Sequence, residues 1–398
     1  MAEKKRGQES VAGASPADSA SHPWRSPLYS RLPKQPYPLV VFPDVVIPAA
    51  SLWTGARLWI DSLRAAEVRP GDRIAIALPP SPAFIQVLIA ALWEGLTIVP
   101  LPYRSSAEET SALIAAVDAR LTVSERFSSN DGVWRPDGVS GPDTREGDMT
   151  LRPTRHAPTP GVCFIFRQSG AFIALSSDNV WGSLSDQLPQ LHLREAETRI
   201  LSLLPWDTAG GILRDLLPGL LAGAEIIRVG DGWQDVTRLL HPAIQTGATH
   251  LFATPSHVAQ IGEESGGAAF LRALEGGIVV SNGIPITSSL MELLMTTRLR
   301  AGYGNAEASC CLALGSPRIW PGTGYLGQTL NCNTRINPGG GLQFRGRNAC
   351  LGSWTSEHGL HRLPSDRWVD TGDKATLDPV TKDLFLGSLS SDSGFETN

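Results

Sequence analysis

The sequence predicts an α/β fold with two packed, mostly parallel α/β units and a small β-rich, barrel-like unit after them. From about Leu52, helices with apolar residues at helical spacing alternate with short apolar strands. The alternation pauses in a stretch rich in Gly, Pro, Asp and Ser, residues 126–160, and then resumes. After Pro321 the pattern changes to short strands between Gly, Asn and Pro turns.

These changes of pattern divide the chain into five segments. We predict a flexible tail over 1–25, a first α/β unit over 26–180 and a second over 181–320. The β-rich unit follows over 321–390, and a short tail closes the chain over 391–398. The amino-terminal tail is rich in Ser, Ala, Gly and charge, so it cannot bury enough apolar area to offset the entropy of ordering it.

Composition excludes several function classes. The chain has 398 residues, of which 42% are hydrophobic and 18% charged, as in a soluble protein with room for two or three cores. A formal net charge of -5 without a long basic run argues against a nucleic-acid partner. The most apolar window, FIQVLIAALWEGLTIVPLP, is interrupted by Glu94, Gly95 and prolines, so we expect no membrane span and a cytoplasmic protein.

The five cysteines indicate neither a metal site nor a disulfide framework. They are odd in number and contain no C-x-x-C pair. We therefore expect buried thiols in a reducing compartment and no metal ligands. Adjacent Cys310 and Cys311 could include a nucleophile only if a basic group lay beside them, and the sequence shows none nearby.

The first unit reads as a regular series of helices and strands. TGARLWIDSLRAAEV is typical of an amphipathic helix, and GDRIAIALPP of a short buried strand. The next helix should begin after Ser81, an N-cap residue followed by Pro82 at the first helical position. The strand TIVPLP follows, and then a helix whose Ser106 and Glu109 match a capping box. This order predicts parallel strands joined by helices.

The second unit and the β-rich unit continue the order. The chain re-enters the core at GVCFIF and then gives RILSLLP, the helix ILRDLLPGLLAGA, EIIRVG, ATHLFATP, GGIVVSNG and LRAGYG. Beyond Pro321, the run Gly339–Gly341 lies between strand-like segments with no helix after it, so we predict a hairpin turn and not a phosphate loop.

The stretch CFIFRQSGAFIALSSDN raises the question of nucleotide binding. A strand runs into Ser169-Gly170 and restarts at once, where a nucleotide-binding loop has further glycines, hydroxyls and a lysine.

Six ordered blocks over about 320 residues resemble the large N-terminal domain of the adenylate-forming (ANL) superfamily, which includes acyl-CoA synthetases and peptide-synthetase adenylation domains. The blocks are GDRIAIALPPSPAFIQVLIAALWEGLTIVPL, LLPWDTAGGILRDLLPGLLAGA, THLFATPSHVAQI, GIVVSNGIPI, AGYGNAEAS and DRWVDTGD. The resemblance implies that fold, an acyl or aryl pocket and a nucleotide site.

Departures from the family pattern are as specific as the resemblance. The family's Ser-Gly-Thr-Thr-Gly-x-Pro-Lys-Gly loop is reduced to Ser169-Gly170, Ser177 occupies the place of a histidine, and Ala306 replaces a threonine. After Asp373 the sequence ends in SLSSDSGFETN, without the arginine, the hinge or the lysine-bearing lid domain that the family places there. We therefore expect a protein without the lid and without the cations that stabilise the phosphoryl transition state.

Site residues follow from the resemblance. We predict His257, Asp207 and Thr208 as catalytic, with His257 best suited to proton transfer near neutral pH; the alternatives are a capping histidine and simple turn chemistry at Asp207. The remaining predictions comprise a substrate pocket and a vestigial nucleotide site. The pocket residues are Trp206, Ser256, Asn282, Gly283, Tyr303, Gly304 and Glu307. The vestigial residues are Ser169, Gly170, Glu307 and Asp373.

The leading hypothesis is an AMP-dependent synthetase-like protein that has lost ATP-dependent adenylation and kept its acyl or aryl pocket. It would act on an activated thioester or a cyclising intermediate in small-molecule biosynthesis, with a substrate carried on CoA or on a carrier protein, and it would require no cofactor. Two alternatives stay open: an atypical acyl or aryl-acid ligase that uses ATP and Mg²⁺ and needs a partner for its lid, and a non-catalytic binding or regulatory subunit. The sequence gives no oligomeric state.

Overall fold

The computed structural model describes residues 23–32, 38–42, 45–124, 133–134, 148–228, 236–281 and 286–387. Most of the predicted amino-terminal tail and all of the predicted carboxyl-terminal tail lie outside these ranges.

Helices and strands alternate through most of the described chain. The α-helices are α1 (Arg25–Arg31), α2 (Ala49–Ala65), α3 (Pro82–Glu94), α4 (Ala107–Ala116), α5 (Ser177–Leu191), α6 (Leu217–Ala222), α7 (Val236–Gln245), α8 (Pro255–Glu263), α9 (Gly267–Ala273) and α10 (Ser288–Met295). A π-helix, Gly211–Leu216, precedes α6, and a 3₁₀ turn spans Ala306–Ala308. No helix within the described ranges is both long enough and apolar enough to cross a bilayer.

The strands fall into two sheets. They are β1 (Pro38–Phe42), β2 (Val45–Pro48), β3 (Arg73–Ala77), β4 (Thr97–Pro100), β5 (Leu121–Ser124), β6 (Val133–Trp134), β7 (Asp148–Leu151), β8 (Val162–Gln168), β9 (Ala171–Ser176), β10 (Arg199–Ser202), β11 (Glu225–Ile227), β12 (His250–Ala253), β13 (Gly276–Ser281), β14 (Arg300–Tyr303), β15 (Ala313–Leu314), β16 (Tyr325–Thr329), β17 (Asn333–Ile336), β18 (Gly341–Arg345), β19 (Gly352–Thr355), β20 (Gly359–Arg362), β21 (Val369–Leu377) and β22 (Asp383–Leu386).

Each sheet has a parallel centre with antiparallel additions. A 9-stranded sheet has the order β20-β19-β9-β8-β4-β3-β5-β7-β6, and β8, β4, β3 and β5 run parallel. A 13-stranded sheet has the order β17-β18-β21-β22-β16-β15-β14-β13-β12-β10-β11-β1-β2, and its parallel part runs from β14 to β1. The predicted α/β fold class is confirmed, but only the centre of each sheet is parallel, and the flanking strands pair in antiparallel register.

The sheets exchange strands across the predicted unit boundaries. Strands β1 and β2 lie in the 13-stranded sheet, whereas β19 and β20, from the β-rich segment, extend the 9-stranded sheet beyond β9. The stretch 126–160, expected to be a surface excursion, supplies β7, which pairs with β5 in antiparallel register. The boundaries of the predicted units stay a prediction.

Several helix and strand ends have the local structure that the sequence predicts. Ser81 Oγ accepts a hydrogen bond from the Phe84 N–H at 3.2 Å, and Pro82 opens α3 as predicted. The C-cap of helix α3 is Gly95, whose φ of 71° lies in the left-handed region that favours glycine. Strands β17 and β18 form the predicted hairpin around the Gly339–Gly341 run.

One apolar cluster joins the two sheets through the helices between them. It includes Ile74 and Phe164 of the 9-stranded sheet, Leu88 of α3, Ile212 of the π-helix and Ile226 of the 13-stranded sheet. Nearly every residue of α3 is buried, because both sides of this helix are covered.

A buried ion pair lies at the amino end of β3 in the 9-stranded sheet. The Arg73 guanidinium donates to Asp118 Oδ2 at 2.9 Å and to the backbone oxygens of Asp118, His156 and Ala157, and it lies 4.6 Å from the Trp354 ring centroid. Burial opposes ionisation of Asp118, but backbone N–H donors of Arg155 and His156 and the charge of Arg73 hold its pKa below the ordinary value.

Replacing Asp118 by Ala should lower the free energy of unfolding by about 3–5 kcal/mol, because it leaves the Arg73 charge buried without its partner. Since the pKa of Asp118 is lowered on folding, its contribution is present above the unfolded-state pKa and declines as the pH falls through the folded-state pKa. Urea unfolding of the wild type and the variant at several pH values measures this.

The exposed pair of Arg194 and Glu275, with Nη2 3.0 Å from Oε2, provides a matched control. Glu275→Ala should cost less than about 1 kcal/mol, because solvent screens a surface pair. Similar losses in the two variants would show that the Arg73–Asp118 pair does not stabilise the sheet as argued.

Candidate functional site

The turn between β8 and β9 is a two-residue hairpin turn. Gln168 pairs directly with Ala171, and Ser169 and Gly170 between them have φ values of 47° and 84°. Positive φ at both central residues is the signature of a type I′ turn, whose twist matches the strands it joins. The chain therefore reverses within two residues and forms no concave loop at this point.

The surroundings of this turn carry little that could hold a phosphate. Ser169 and Gly170 are both exposed, and a Cβ placed on Gly170 would meet no atom within 4 Å. The nearest cation along the chain, Arg167, faces Glu109 with Nη1 3.6 Å from Oε1. Ser177, at the start of α5, accepts a hydrogen bond from Trp24 Nε1 at 3.2 Å.

A cavity of about 170 Å³ lies where the carboxyl ends of strands from both sheets meet. Its lining residues follow β3, β4, β10 and β11, which is the position where open parallel sheets bind ligands. They are Leu78, Pro80, Pro102, Tyr103, Arg104, Pro205, Trp206, Asp207 and Arg228. Two residues predicted from the sequence, Trp206 and Asp207, therefore lie in one cavity.

A buried hydrogen-bonded group fixes the wall formed by Trp206. The indole Nε1 donates to Ser202 Oγ at 3.2 Å, and Ser202 Oγ donates to Asp215 Oδ2 at 2.7 Å. Arg228 lies over the indole with Cζ 5.2 Å from the ring centroid, and its Nη1 donates to the backbone oxygens of Ser202 and Leu204 at 3.0 and 2.8 Å.

The two acids near this wall have raised pKa values. Burial raises the pKa of Asp207, and a backbone N–H and the charge of Arg228 offset only part of this effect. Burial raises the pKa of Asp215 to about 7, against the hydrogen bond from Ser202 and the charge of Arg228.

The turn after Trp206 depends on Thr208 and Gly211. Thr208 is exposed, its Oγ1 donates to the Pro205 oxygen at 2.7 Å, and it accepts from the Gly211 N–H at 3.1 Å. A Cβ on Gly211 would lie 1.8 Å from the Pro205 oxygen, so only glycine fits. The Thr208 hydroxyl therefore stabilises this turn, and its predicted catalytic role stays a prediction.

The π-helix that begins at Gly211 carries Arg214 to the turn that follows β14. The Arg214 guanidinium is fully buried and donates to backbone oxygens of Cys310 and, at 2.6 Å, of Tyr303. A Cβ on Gly302 would lie 2.2 Å from Arg214 Nη1. Arg214, which was not predicted from the sequence, therefore joins the two segments that contain predicted site residues, 205–211 and 301–309.

Tyr303, Asp373 and Glu307 form a second group. The Tyr303 hydroxyl donates to Asp373 Oδ2 at 2.6 Å, and burial together with the charge of Asp373 raises the pKa of Tyr303. Burial also raises the pKa of Glu307, and Asp373 adds to the rise. Glu307 Oε2 is buried without a hydrogen-bond partner among the described residues. Gly304 is required beside them, because a Cβ there would lie 2.6 Å from the Cys310 carbonyl carbon.

His257 caps helix α8. Its Nδ1 lies 3.3 Å from the Thr254 N–H and 3.1 Å from Thr254 Oγ1, in a capping box, and the side chain is buried. An Nδ1 that accepts from a backbone N–H leaves the proton of a neutral imidazole on Nε2. The geometry supports the capping alternative, and His257 lines neither cavity described here. Ser256 beside it is exposed.

The remaining predicted residues add no further group. Asn282 and Gly283 lie outside the described residues. A second cavity, of about 290 Å³, lies at the amino ends of the central strands β4 and β8 of the 9-stranded sheet, beside Cys163 and the start of α5. Burial raises the pKa of the Cys163 thiol to about 12, so it stays neutral. Four of the cysteines are buried as predicted, and Cys332 is half-buried.

Several functional candidates were missed because their signals are weak in sequence. Arg228 and Arg104 each follow a short apolar strand and look like ordinary strand ends. Asp215 and Arg214 lie within a run that is otherwise apolar, and charged residues in such a run could have been recognised as partners of a buried network.

Comparison with known proteins agrees with the sequence blocks. Residues 50–153 match the AMP-binding enzyme family. Feruloyl-CoA synthases of an Amycolatopsis and a Streptomyces species are each 26% identical over 351 residues, which cover 80% of this chain and 68% of the relative.

Solved structures share the fold. The unliganded O-succinylbenzoate CoA synthetase (MenE) of Bacillus subtilis superposes with a TM-score of 0.72 at 17% identity, over 92% of this chain and 79% of that one. The N-terminal subdomain of Klebsiella oxytoca NpsA, in complex with anthranilyl-AMSN, superposes with a TM-score of 0.71 at 18% identity, over 91% and 98% of the two chains. The resemblance inferred from the blocks is confirmed.

Removing the Tyr303 hydroxyl should destabilise the second group. Tyr303→Phe should lower the free energy of unfolding by about 1.5–3 kcal/mol, because a short hydrogen bond to a carboxylate is lost inside the protein. Chemical denaturation at pH 7 measures the loss.

Tyr325 serves as the control, since its hydroxyl reaches Asp383 Oδ1 at a longer 3.4 Å. Tyr325→Phe should cost less than about 1 kcal/mol. An equal or larger loss of unfolding free energy in Tyr325→Phe would show that the Tyr303–Asp373 hydrogen bond does not stabilise the protein as argued.

Proposed function

We propose that this acyl- or aryl-CoA ligase-like protein, which has the fold of the large N-terminal domain of the adenylate-forming superfamily, does not adenylate acids. It acts on an acyl or aryl substrate that is already activated as a thioester, or on an intermediate that closes a ring, in the biosynthesis of small molecules. It requires neither ATP nor Mg²⁺.

The observation that carries the proposal is the two-residue turn at Ser169 and Gly170. A phosphate loop binds through several successive backbone N–H groups around a concavity, together with hydroxyls and a lysine. A type I′ turn between paired strands offers neither the concavity nor the lysine, and a Cβ placed on Gly170 would meet no atom within 4 Å.

The second group supports the same conclusion. By the resemblance, Glu307 would bind magnesium and Asp373 would bind the ribose. Here one oxygen of Asp373 accepts the Tyr303 hydroxyl at 2.6 Å, so this carboxylate is already hydrogen-bonded within the protein. Asp373 then stabilises the turn after β14 instead of a ribose.

The relatives suggest the class of substrate. Two are named feruloyl-CoA synthases, one solved relative is an O-succinylbenzoate CoA synthetase, and another was solved with anthranilyl-AMSN. Their names describe aryl groups joined to CoA or to AMSN. The aromatic and proline lining of the 170 Å³ cavity suits the aryl part of such a molecule, carried on CoA or on a carrier protein.

The wild-type chain should bind feruloyl-CoA but not Mg-ATP. In calorimetric titrations, feruloyl-CoA should give a saturable heat and Mg-ATP at millimolar concentration should give none. Ferulate-dependent exchange of pyrophosphate into ATP should be at least about 10⁴-fold below that of a feruloyl-CoA synthase assayed in parallel, because each lost phosphate contact costs about 2.7–4 kcal/mol of transition-state stabilisation.

Acid-dependent exchange by this chain would overturn the proposal and support the atypical ligase. Binding of feruloyl-CoA without any chemical change to it, in the presence of candidate acceptors, would support the non-catalytic binding subunit.

A further inference from the structure

Asp215 is a buried carboxyl group that lies two hydrogen bonds away from the aromatic wall of the 170 Å³ cavity. Its exposed fraction is 0%, and its Oδ2 accepts the Ser202 hydroxyl at 2.7 Å. Ser202 Oγ in turn accepts the Trp206 Nε1–H at 3.2 Å, and Trp206 lines the cavity. Hydrogen bonds therefore connect a titratable group inside the protein to a side chain that a ligand in the cavity would touch.

We propose that Asp215 is a positioning residue for this cavity: its ionised carboxyl group holds the Trp206 indole in place through Ser202, and its protonation releases the indole. The inference rests on the proposed function for the ligand and adds a pH-dependent control of the same site. The movement of the indole itself requires no ligand.

The hydrogen bonds of Ser202 require an acceptor at Asp215. A hydroxyl group has one proton to donate and two lone pairs with which to accept. Ser202 Oγ accepts from Trp206 Nε1, and Arg228 Nη1 lies 3.4 Å from the same oxygen, so both lone pairs face donors. The hydroxyl proton is then left for Asp215 Oδ2, and an ionised carboxyl group accepts it without conflict.

A protonated Asp215 has no good place for its proton in this arrangement. On Oδ2 the proton would point at the Ser202 oxygen, whose lone pairs already face donors. On Oδ1 it would find no acceptor, because Oδ1 is buried without a hydrogen-bond partner among the described residues. A buried donor without an acceptor is costly, and release of the Trp206 N–H from Ser202 frees a lone pair that removes this cost.

The surroundings of Asp215 bring this change of charge close to neutral pH. Burial opposes ionisation, whereas the Ser202 hydroxyl, the charge of Arg228 and the Leu204 N–H favour it. Because burial outweighs these groups, the pKa of Asp215 rises to about 7. The indole should therefore be held above this pH and released below it.

Few other titratable groups face the π-helix that carries Asp215. Helix α6, which packs against it, has the sequence LPGLLA, and α5 contacts it through the Gln187 amide, which donates to the Leu213 oxygen. The charged and titratable groups nearby are Arg214 in the π-helix itself, which donates to the Tyr303 oxygen, Arg228 after β11, and Asp207, Tyr103 and Arg104 on the cavity wall.

The direct test is the fluorescence of Trp206 in the chain without ligand, recorded from about pH 5.5 to about pH 8.5. Since the chain has 11 tryptophans, each protein is compared with the same protein carrying Trp206→Phe. The difference spectrum should shift to longer wavelength on the acid side, with a midpoint near the pKa of about 7. A difference spectrum that does not change across this pH range would overturn the proposal.

Two variants test the connection between the carboxyl group and the indole. Asp215→Asn removes the titrating group, so the difference spectrum should no longer depend on pH. Ser202→Ala keeps the carboxyl group and removes its link to Trp206, so the spectrum should resemble the acid form at every pH. The wild-type transition in either variant would refute the proposal. Circular dichroism shows whether each variant folds, and Ser202→Ala decides the question if Asp215→Asn does not.

Two other acids with raised pKa values serve as controls. Burial raises the pKa of Asp207, which adjoins Trp206, and of the half-buried Glu225, which lies 3.9 Å from Arg199 at the start of β11. Asp207→Asn and Glu225→Gln should both keep the transition near neutral pH. Loss of the transition in either control would assign it to that acid and overturn the role of Asp215.

The effect on binding is measured with feruloyl-CoA, by calorimetry at pH 6 and pH 8. The wild type should lose at least about fivefold more affinity than Asp215→Asn between pH 8 and pH 6, because a released indole no longer packs against the ligand. Comparison at the same two pH values cancels the titration of the phosphates of CoA.

Equal losses of affinity in the two proteins would overturn the control of binding by Asp215. If feruloyl-CoA binds at neither pH, the proposed function is rejected, and the fluorescence transition still decides whether Asp215 positions Trp206.

Discussion

The buried guanidinium of Arg214 holds together the two segments on which the site depends. It donates to backbone oxygens of Cys310, Tyr303 and Ala313, and so fixes the turn after β14 to the π-helix that follows the Trp206 turn. A buried arginine is tolerated only when several acceptors surround it, because an unpaired buried charge costs several kcal/mol. Gly302 and Gly211 make this possible, since a side chain at either position would collide with Arg214 or with the backbone.

The consequence is a site with two separate parts. On one side of the Arg214 contact, residues that follow strands of both sheets enclose a cavity whose walls are Trp206, Tyr103 and two arginines. On the other side, Tyr303, Glu307 and Asp373 interact with one another. Acids with raised pKa values occur in both parts. Burial raises the pKa of Asp207 and of Asp215 more than the charge of Arg228 lowers it, whereas burial and the charge of Asp373 together raise that of Glu307.

The chemistry left to such a site follows from what its residues can bind. The guanidiniums of Arg104 and Arg228 lie over the rings of Tyr103 and Trp206, and such an aromatic wall suits a planar organic group. A triphosphate asks for a concave loop of backbone N–H groups, and the hairpin turn at Ser169 and Gly170 does not supply one. The proposed function follows from this difference, because an acyl or aryl substrate that is already activated needs no such loop.

The sequence by itself determined the alternation of helices and strands, the caps at Ser81 and Ser106, the hairpin at Gly339–Gly341 and the absence of phosphate-loop residues after Gln168. These features depend on periodicity and on backbone preferences of a few adjacent residues, which can be read locally. The charged groups that line the cavity and the capping role of His257 could not be predicted from such local patterns. Arg104, Arg228 and Asp207 lie far apart along the chain and meet only because strands of two sheets end at one place. Whether a polar side chain caps a helix, bridges two segments or faces a ligand depends on which backbone groups surround it, and only the tertiary structure decided that for His257, Arg214 and Arg228.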